Sequence, residues 1–506
     1  MSRRYRLAVF VVALLACLSG PNVTNYDSYL AVPVAWSVLR HGDLDLDEYE
    51  VPEIRNHHGY VSVDARAYDF YPWPVAMLAL PVVALTQAGA ALGLWPGVDQ
   101  LIRDNTMDLM QLITASFITA LAAMVMAMVA FERFGGRLAA RTAALTGLLF
   151  VLATTMWSTG SRALWQHGPA ALFVALALLD AQRLLSELRG AGATPTASTT
   201  WFRFGAWLAL AMVMRPTAAV AGAAIAAAVL WGLLSSAAPL RRGSPIQTPT
   251  DPDGTGVLGD PGVPGFAGVG QGGSPNLGRR VARLGRGPLW AGVGAGTVMV
   301  PFLVLNISVF GAALPTSYSA NRLAVHDQYL EALAANLVSP ARGVLISVPL
   351  LAAAVVAAIL AIRRAPAPAA NPLRLACLAG LVVHWLVISA GSFGWWAGHS
   401  YGARFFTEVT PLMAYLGLDL VDRVRQPGRW RIMVGVLAAV SVAVQLPGVY
   451  LRSTQCWNGD PTDIDADPGR VWSWRAPPFL HAAGEAADGL PLRTLIMGPC
   501  PPPGGA

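Results

Sequence analysis

Lysine is absent from this 506-residue chain, so all 35 positions counted as lysine or arginine are arginine. With the heavy use of alanine, arginine and glycine, that is the composition of a GC-rich genome. Charge of either sign is scarce, at 13% of residues against 55% hydrophobic, and this excludes a soluble globule. Several apolar stretches approach the roughly 20 residues needed to cross a bilayer. Only four cysteines occur, and Cys17 and Cys377 fall inside apolar stretches, so there is no disulfide framework. Cys456 and Cys500 share a polar region and can pair if the tail lies outside the cell. No P-loop, dinucleotide fingerprint, nucleophile elbow or kinase signature occurs in the context it requires, which removes soluble nucleotide chemistry. The chain has no internal repeat either, which counts against transporter folds built by duplication. A formal charge of +6 does not indicate nucleic acid, because the arginines sit in short connectors where they orient helices.

What remains is an all-α polytopic membrane protein with about eleven transmembrane helices. The expected spans are 7–20, 107–131, 139–157, 167–182, 202–214, 216–235, 289–310, 343–362, 374–390, 404–421 and 431–450. Arg3, Arg4 and Arg6 before the first run resemble the charged region of a signal peptide, but no good small-x-small site follows, so an uncleaved first helix is expected. A twelfth stretch, 72–95, is interrupted by Pro74 and Pro81, whose lost hydrogen bonds lipid cannot replace. Treating it as a juxtamembrane or re-entrant segment places every arginine-rich connector on the cytoplasmic side. The expected organisation is a transmembrane domain over 1–450, with a first outer loop at 21–71 and a disordered cytoplasmic linker at 239–288. A short extracytoplasmic tail, 451–506, follows it.

The outer loop concentrates acids: Asp27, Asp43, Asp45, Asp47, Glu48, Glu50, Glu53, Asp64 and Asp69. Asp27 follows the first apolar segment directly, and two readings stand. It caps the next helix, or it is a carboxylate held at the bilayer surface as a general base. The run 43–48 alternates like an extended surface segment and lacks the glycine and terminal glutamate of a calcium loop. His57-His58 lacks the i, i+4 spacing and cysteine partner of a metal motif. Arg215-Pro216 interrupts an apolar stretch, as a hairpin arginine that either snorkels or meets a lipid phosphate. Arg162 to His167 and Trp395 to Arg404 combine rings with single cations, which suits an interfacial aromatic belt or a sugar face beside a phosphate.

Several motifs in order resemble the polytopic GT-C glycosyltransferases, the superfamily of protein O-mannosyltransferases and the lipid A aminoarabinose transferase. They are Asn25-Tyr26-Asp27-Ser28-Tyr29, His41-Gly42-Asp43-Leu44-Asp45-Leu46, Tyr71-Pro72-Trp73-Pro74, Leu164-Trp165-Gln166-His167-Gly168-Pro169, Arg215-Pro216-Thr217, Ser339-Pro340-Ala341-Arg342-Gly343 and Tyr401-Gly402-Ala403-Arg404-Phe405-Phe406. The resemblance implies outer juxtamembrane helices and a polyprenyl-phosphate-linked sugar as donor. It also implies an extracytoplasmic glycan, lipid or protein as acceptor, at the cell membrane. Asp27 matches the family's loop aspartate and Arg404 a cation near the donor phosphate. Arg215, His167, Arg162, Trp396, His399 and Tyr401 are further donor-side candidates, and Asp43 and Asp69 are candidate loop acids. Many members carry a second acid in the next outer loop, whereas 158–166 has none, so a metal-independent site without cofactor is expected. A flippase for lipid-linked sugars and a catalytically inactive accessory subunit are the alternatives.

Overall fold

The computed structural model describes residues 1–24, 26–188, 198–237, 276–318, 324–364, 371–391, 394–425, 427–487, 489–498 and 500. It is a helical membrane protein; the described residues contain a single two-stranded sheet. Six helices among them are long and apolar enough to cross a membrane: Asp108–Arg133, His167–Leu188, Pro216–Ser235, Arg286–Phe310, Pro372–Ser389 and Arg429–Tyr450. Burial separates these into centre and rim. The most apolar window of His167–Leu188 is 89% buried and that of Asp108–Arg133 72%, against 17% for Arg286–Phe310 and 22% for Arg429–Tyr450. The two rim helices leave Val300, Val304, Ile307, Ile432 and Val436 exposed, which in water would be unfavourable and in lipid is not.

Six of the eleven expected spans fall on those six helices, and the other five lie on shorter ones. Arg3–Leu18, Ala140–Leu152, Ser198–Met214 and Leu350–Arg364 have 16, 13, 17 and 15 residues. Each is shorter than Pro372–Ser389, which at 18 residues is the shortest of the six. The stretch 404–421 is broken into a 3-10 turn, Arg404–Val409, a short helix, Thr410–Gly417, and another turn. An apolar run in sequence can include residues that the folded chain spends on turns, as 139–157, 343–362 and 404–421 do, whereas 202–214 is helical throughout. The stretch 72–95 forms two short helices, Pro74–Met77 and Leu80–Ala91, with Pro74 and Pro81 in their first turns, where a missing N–H costs nothing. Of the linker expected at 239–288, residues 239–275 lie outside the described ones. From Asn276 onward the chain belongs to the Asn276–Phe310 helix.

Ion pairs tie the arginine-bearing helix ends together: Arg183 with Glu132 at 2.5 Å, Arg203 with Asp180 at 3.0 Å and Arg374 with Asp419 at 2.7 Å. At the other end the loops and the tail share a small core of their own. There Trp395, Trp457, Ile464 and Val471 pack with Ala332, Ala335 and Ala341. Cys456 and Cys500 are joined in a disulfide, while Cys17 and Cys377 are free and buried.

Candidate functional site

The first helix ends where the buried Arg162 takes over its loose carbonyls, donating to Cys17 O and, at 2.9 Å, to Gly20 O. A Cβ on Gly20 would lie 2.5 Å from Arg162 Nη1 and 2.4 Å from Val449 Cγ1, so only glycine fits there. The chain then turns through Tyr26–Ser28, which presents Asp27. A hairpin pairs Tyr60 with Asp69 and Val63 with Arg66, and its two turn residues, Asp64 and Ala65, adopt positive φ of 48° and 65°. Positive φ at both central residues is the type I′ turn, whose twist matches that of the strands it joins. The hairpin delivers Asp69 and Tyr71 beside Asp27. Arg215 owes its place to Pro216, which excludes the residue before it from helical geometry. Its backbone is extended, at φ −151° and ψ 108°, and the Ser198–Met214 helix stops there.

These segments enclose a cavity of about 220 Å³ whose lining includes Asp27, Asp69, His167, Arg215, Tyr318 and Arg404. Two carboxylate-guanidinium centres contribute to it: Asp27 and Arg404 both line it, and Arg215 lines it while its partner Glu408 does not. In the first, Arg404 Nη2 donates to Asp27 Oδ2 at 2.6 Å and the guanidinium lies 4.1 Å from the Trp165 ring centroid. His58 Nε2 is 3.4 Å from Asp27 Oδ1 and 3.1 Å from the Tyr71 hydroxyl. In the second, the fully buried Glu408 accepts from Arg215 Nε at 2.6 Å and Thr217 Oγ1 at 2.9 Å, and contacts His167 Nδ1 at 2.6 Å. His384 Nε2 stands 3.7 Å from the same carboxylate. Arg215 also donates to the Tyr318 hydroxyl, which donates in turn to Gln166 Oε1 at 2.6 Å.

The two loop acids that line the cavity, Asp27 and Asp69, are held in opposite protonation states. Loss of solvent raises the Asp27 carboxyl, but the Arg404 guanidinium and His58 outweigh it and hold Asp27 well below the usual carboxylate range. Asp69 is buried, and no cation pairs with it among the described residues. Burial, offset in part by the Tyr71 N–H at 3.0 Å and reinforced by the negative charge of Asp27, pushes it up to about 8. A cavity holding one fixed carboxylate and one carboxylic acid is equipped for proton traffic.

Five of the ten residues singled out in the sequence line this cavity: Asp27, Asp69, His167, Arg215 and Arg404. The others stand elsewhere. Arg162 caps the first helix. Tyr401 bonds Val444 O and packs on Gly448. Trp396 and His399 contact Asp465 and Asp463 in the tail. Asp43, with Glu48, accepts from Ser37 Oγ, while Asp45 pairs with Arg66 and Asp47 accepts the Ala67 N–H. The acid-rich run therefore fastens the loop to a helix and to the hairpin. Sequence reasoning missed Glu408, although an acid inside the apolar run 404–421 is itself a signal. It also missed Tyr318 and His384, which carry no local pattern.

Two buried polar atoms on the cavity wall, Arg404 Nε and His167 Nε2, have no hydrogen-bond partner among the described residues. Buried polar atoms are seldom left so; a ligand oxygen can accept from Arg404 Nε, and a ligand hydroxyl can donate to His167 Nε2, whose ring proton is on Nδ1 toward Glu408. Compared with family models, curated proteins and solved structures, the chain matches none.

Proposed function

We propose that the protein is a GT-C-like membrane glycosyltransferase that moves a sugar from a polyprenyl-phosphate donor to an extracytoplasmic acceptor hydroxyl at the cell membrane. The observation that carries this reading is the meeting of Asp27, Arg404, Arg215 and His167 on one cavity, with Arg404 Nε and His167 Nε2 unpartnered. An acid, two guanidiniums and aromatic faces at the end of a helical bundle suit a sugar phosphate whose lipid chain stays in the bilayer. In the proposed step the acceptor oxygen attacks the anomeric carbon as its proton passes to Asp27. The bond from that carbon to the phosphate oxygen breaks with its electron pair, and polyprenyl phosphate leaves. Arg404 and Arg215 offset the charge that grows on the departing phosphate. Asp27 in its ion pair is a weak base. A phosphate that draws Arg404 toward itself frees the carboxylate and raises its basicity at the moment it is needed.

Transfer from a polyprenyl-phosphate sugar in proteoliposomes tests the reading, with Asp27→Asn expected to cost about 10²–10⁴-fold in rate. Near-normal transfer by that variant removes Asp27 as the base. One observation favours a flippase instead: Glu408, His167, Arg215 and His384 form a buried charged group within the helices, of the kind a transport path requires. Movement of a labelled lipid-linked sugar between leaflets, with no transfer to acceptor, would decide for it.

A further inference from the structure

Outside the cavity, the turn before Arg404 and the C-terminal tail bring three side chains together. His399 Nε2 lies 3.0 Å from Asp463 Oδ1 and 3.8 Å from Asp465 Oδ2, and ligand atoms of all three fall within 4.8 Å of one another. A divalent ion bound by imidazole and carboxylate sits about 2.0–2.2 Å from each ligand, which sets ligand atoms roughly 3–3.5 Å apart. The arrangement is close to that spacing.

The groups around the cluster hold it in this form. Ala397 and Gly398 both adopt positive φ, 66° and 52°, and turn the chain so that Trp396 and His399 both meet Asp465. Trp396 Nε1 donates to Asp465 Oδ1 at 2.6 Å, which fixes that carboxylate and leaves Oδ2 toward His399. The backbone N–H of Asp465 orients Asp463 at 2.8 Å. Partners of this kind, which aim a ligand without binding the metal, are characteristic of metal sites. The fully buried Arg342 clamps the two strands of chain that supply the ligands. It donates to Trp396 O at 2.7 Å and Gly398 O at 2.9 Å on one side, and to Asn458 Oδ1 at 2.8 Å on the other. Arg470 then braces the tail loop through Trp457 O and Asp460 O.

We infer that His399, Asp463 and Asp465 form a binding site for a divalent transition-metal ion, Zn²⁺ or Mn²⁺, that fastens the C-terminal tail to the turn leading into Arg404. One imidazole and two carboxylates suit such an ion, whereas Ca²⁺ takes six to eight oxygens and the site offers too few. The ligand side chains are partly exposed, with His399 at 29%, Asp463 at 41% and Asp465 at 53%, so water completes the coordination and the ion has an entry path. The site also reaches the cavity. Tyr26 stacks on His399 at 5.6 Å and on His58 at 4.4 Å, and His58 is the residue beside Asp27. This inference does not depend on the transfer reaction and stands or fails without it.

The test uses the full chain in detergent, stripped with a chelator and titrated by calorimetry with Zn²⁺ alone and then Mn²⁺ alone. One ion per chain is expected, with Asp463→Asn and Asp465→Asn each weakening it at least tenfold, as loss of a direct ligand should. Absence of saturable binding, or affinity unchanged in the double variant, overturns the site. X-ray absorption of the Zn²⁺-loaded wild type needs no variant. A shell of one imidazole nitrogen with oxygens supports the assignment, and a shell containing sulfur or two or more imidazoles overturns it. Hydrogen exchange adds a further readout: slowing in 394–402 and 458–466 on Zn²⁺ addition is expected, and no change there overturns the fastening role.

Discussion

Asp27 and Glu408 each hold an arginine at 2.6 Å on the wall of one cavity, yet the two centres are built differently. Glu408 is completely buried and its oxygens are taken up by Arg215, Thr217 and His167. Asp27 is only partly buried, receives one N–H of Arg404, and leaves Arg404 Nε without a partner. A carboxylate without exposure, its oxygens all taken up, is a scaffold, because either partner of its pair alone would be an uncompensated buried charge. A pair with one contact open to a cavity can exchange that contact for a ligand. The difference suits Glu408 to holding Arg215 and His167 in place and, under the proposed function, Asp27 to the chemistry.

Three variants break or sharpen this contrast. Arg404→Ala should lower transfer by about 10²–10³-fold, as expected for removing a donor that offsets transition-state charge, with little change in melting temperature. A large loss of thermal stability in detergent, measured alongside the rate, would make Arg404 a second scaffold residue and erase the distinction. Glu408→Ala should behave in the opposite way. It strands Arg215 in a buried site and should cost about 3–5 kcal/mol of stability, read from unfolding in detergent. If the variant stays as stable as the wild type while transfer collapses, Glu408 belongs to the chemistry and its pair with Arg215 is no scaffold.

The smallest effect concerns Asp69. In the unfolded chain it loses its proton near pH 4, and in the folded protein near 8. Across that window the folded state keeps a proton that the unfolded state has released, so stability contributed by this group is full below pH 4 and falls as pH rises toward 8. Melting temperature followed from pH 5 to 8 should therefore decline less steeply in Asp69→Asn than in the wild type. Parallel curves would mean that Asp69 is ionised like an ordinary carboxylate, and that the two loop acids do not differ.

The all-α membrane character was legible in composition and apolar run length, which are local properties of the chain. Arg215 and Arg404 were legible for a related reason, as cations in otherwise apolar surroundings. Span length was not, because the turn Arg404–Val409 and the break between Val344–Ser347 and Leu350–Arg364 divide apolar stretches in ways a hydropathy window averages away. The positions of Trp396, His399, Arg162 and Tyr401 were not legible either. Each belongs to an aromatic or cationic motif, but its partners, such as Asp465 for Trp396 and Gly20 for Arg162, lie 69 and 142 residues distant. The Asp43 to Glu48 run looked conspicuous in sequence, yet its acceptors are spent on Ser37, Arg66 and the hairpin backbone.

The seat of Arg404 on the Trp165 ring fixes the plane of its guanidinium, and with it the side from which an anion can arrive. Nε and Nη2 form one edge of that plane, a fork whose two prongs fit two oxygens of a phosphate. Asp27 holds only the Nη2 prong. Under the proposed function, an incoming phosphate would take the vacant prong before the carboxylate releases the other, so the arginine would never be bare during the handover. A lysine at this position would carry the same charge but has a single point of contact, and would have to let go before it could grasp.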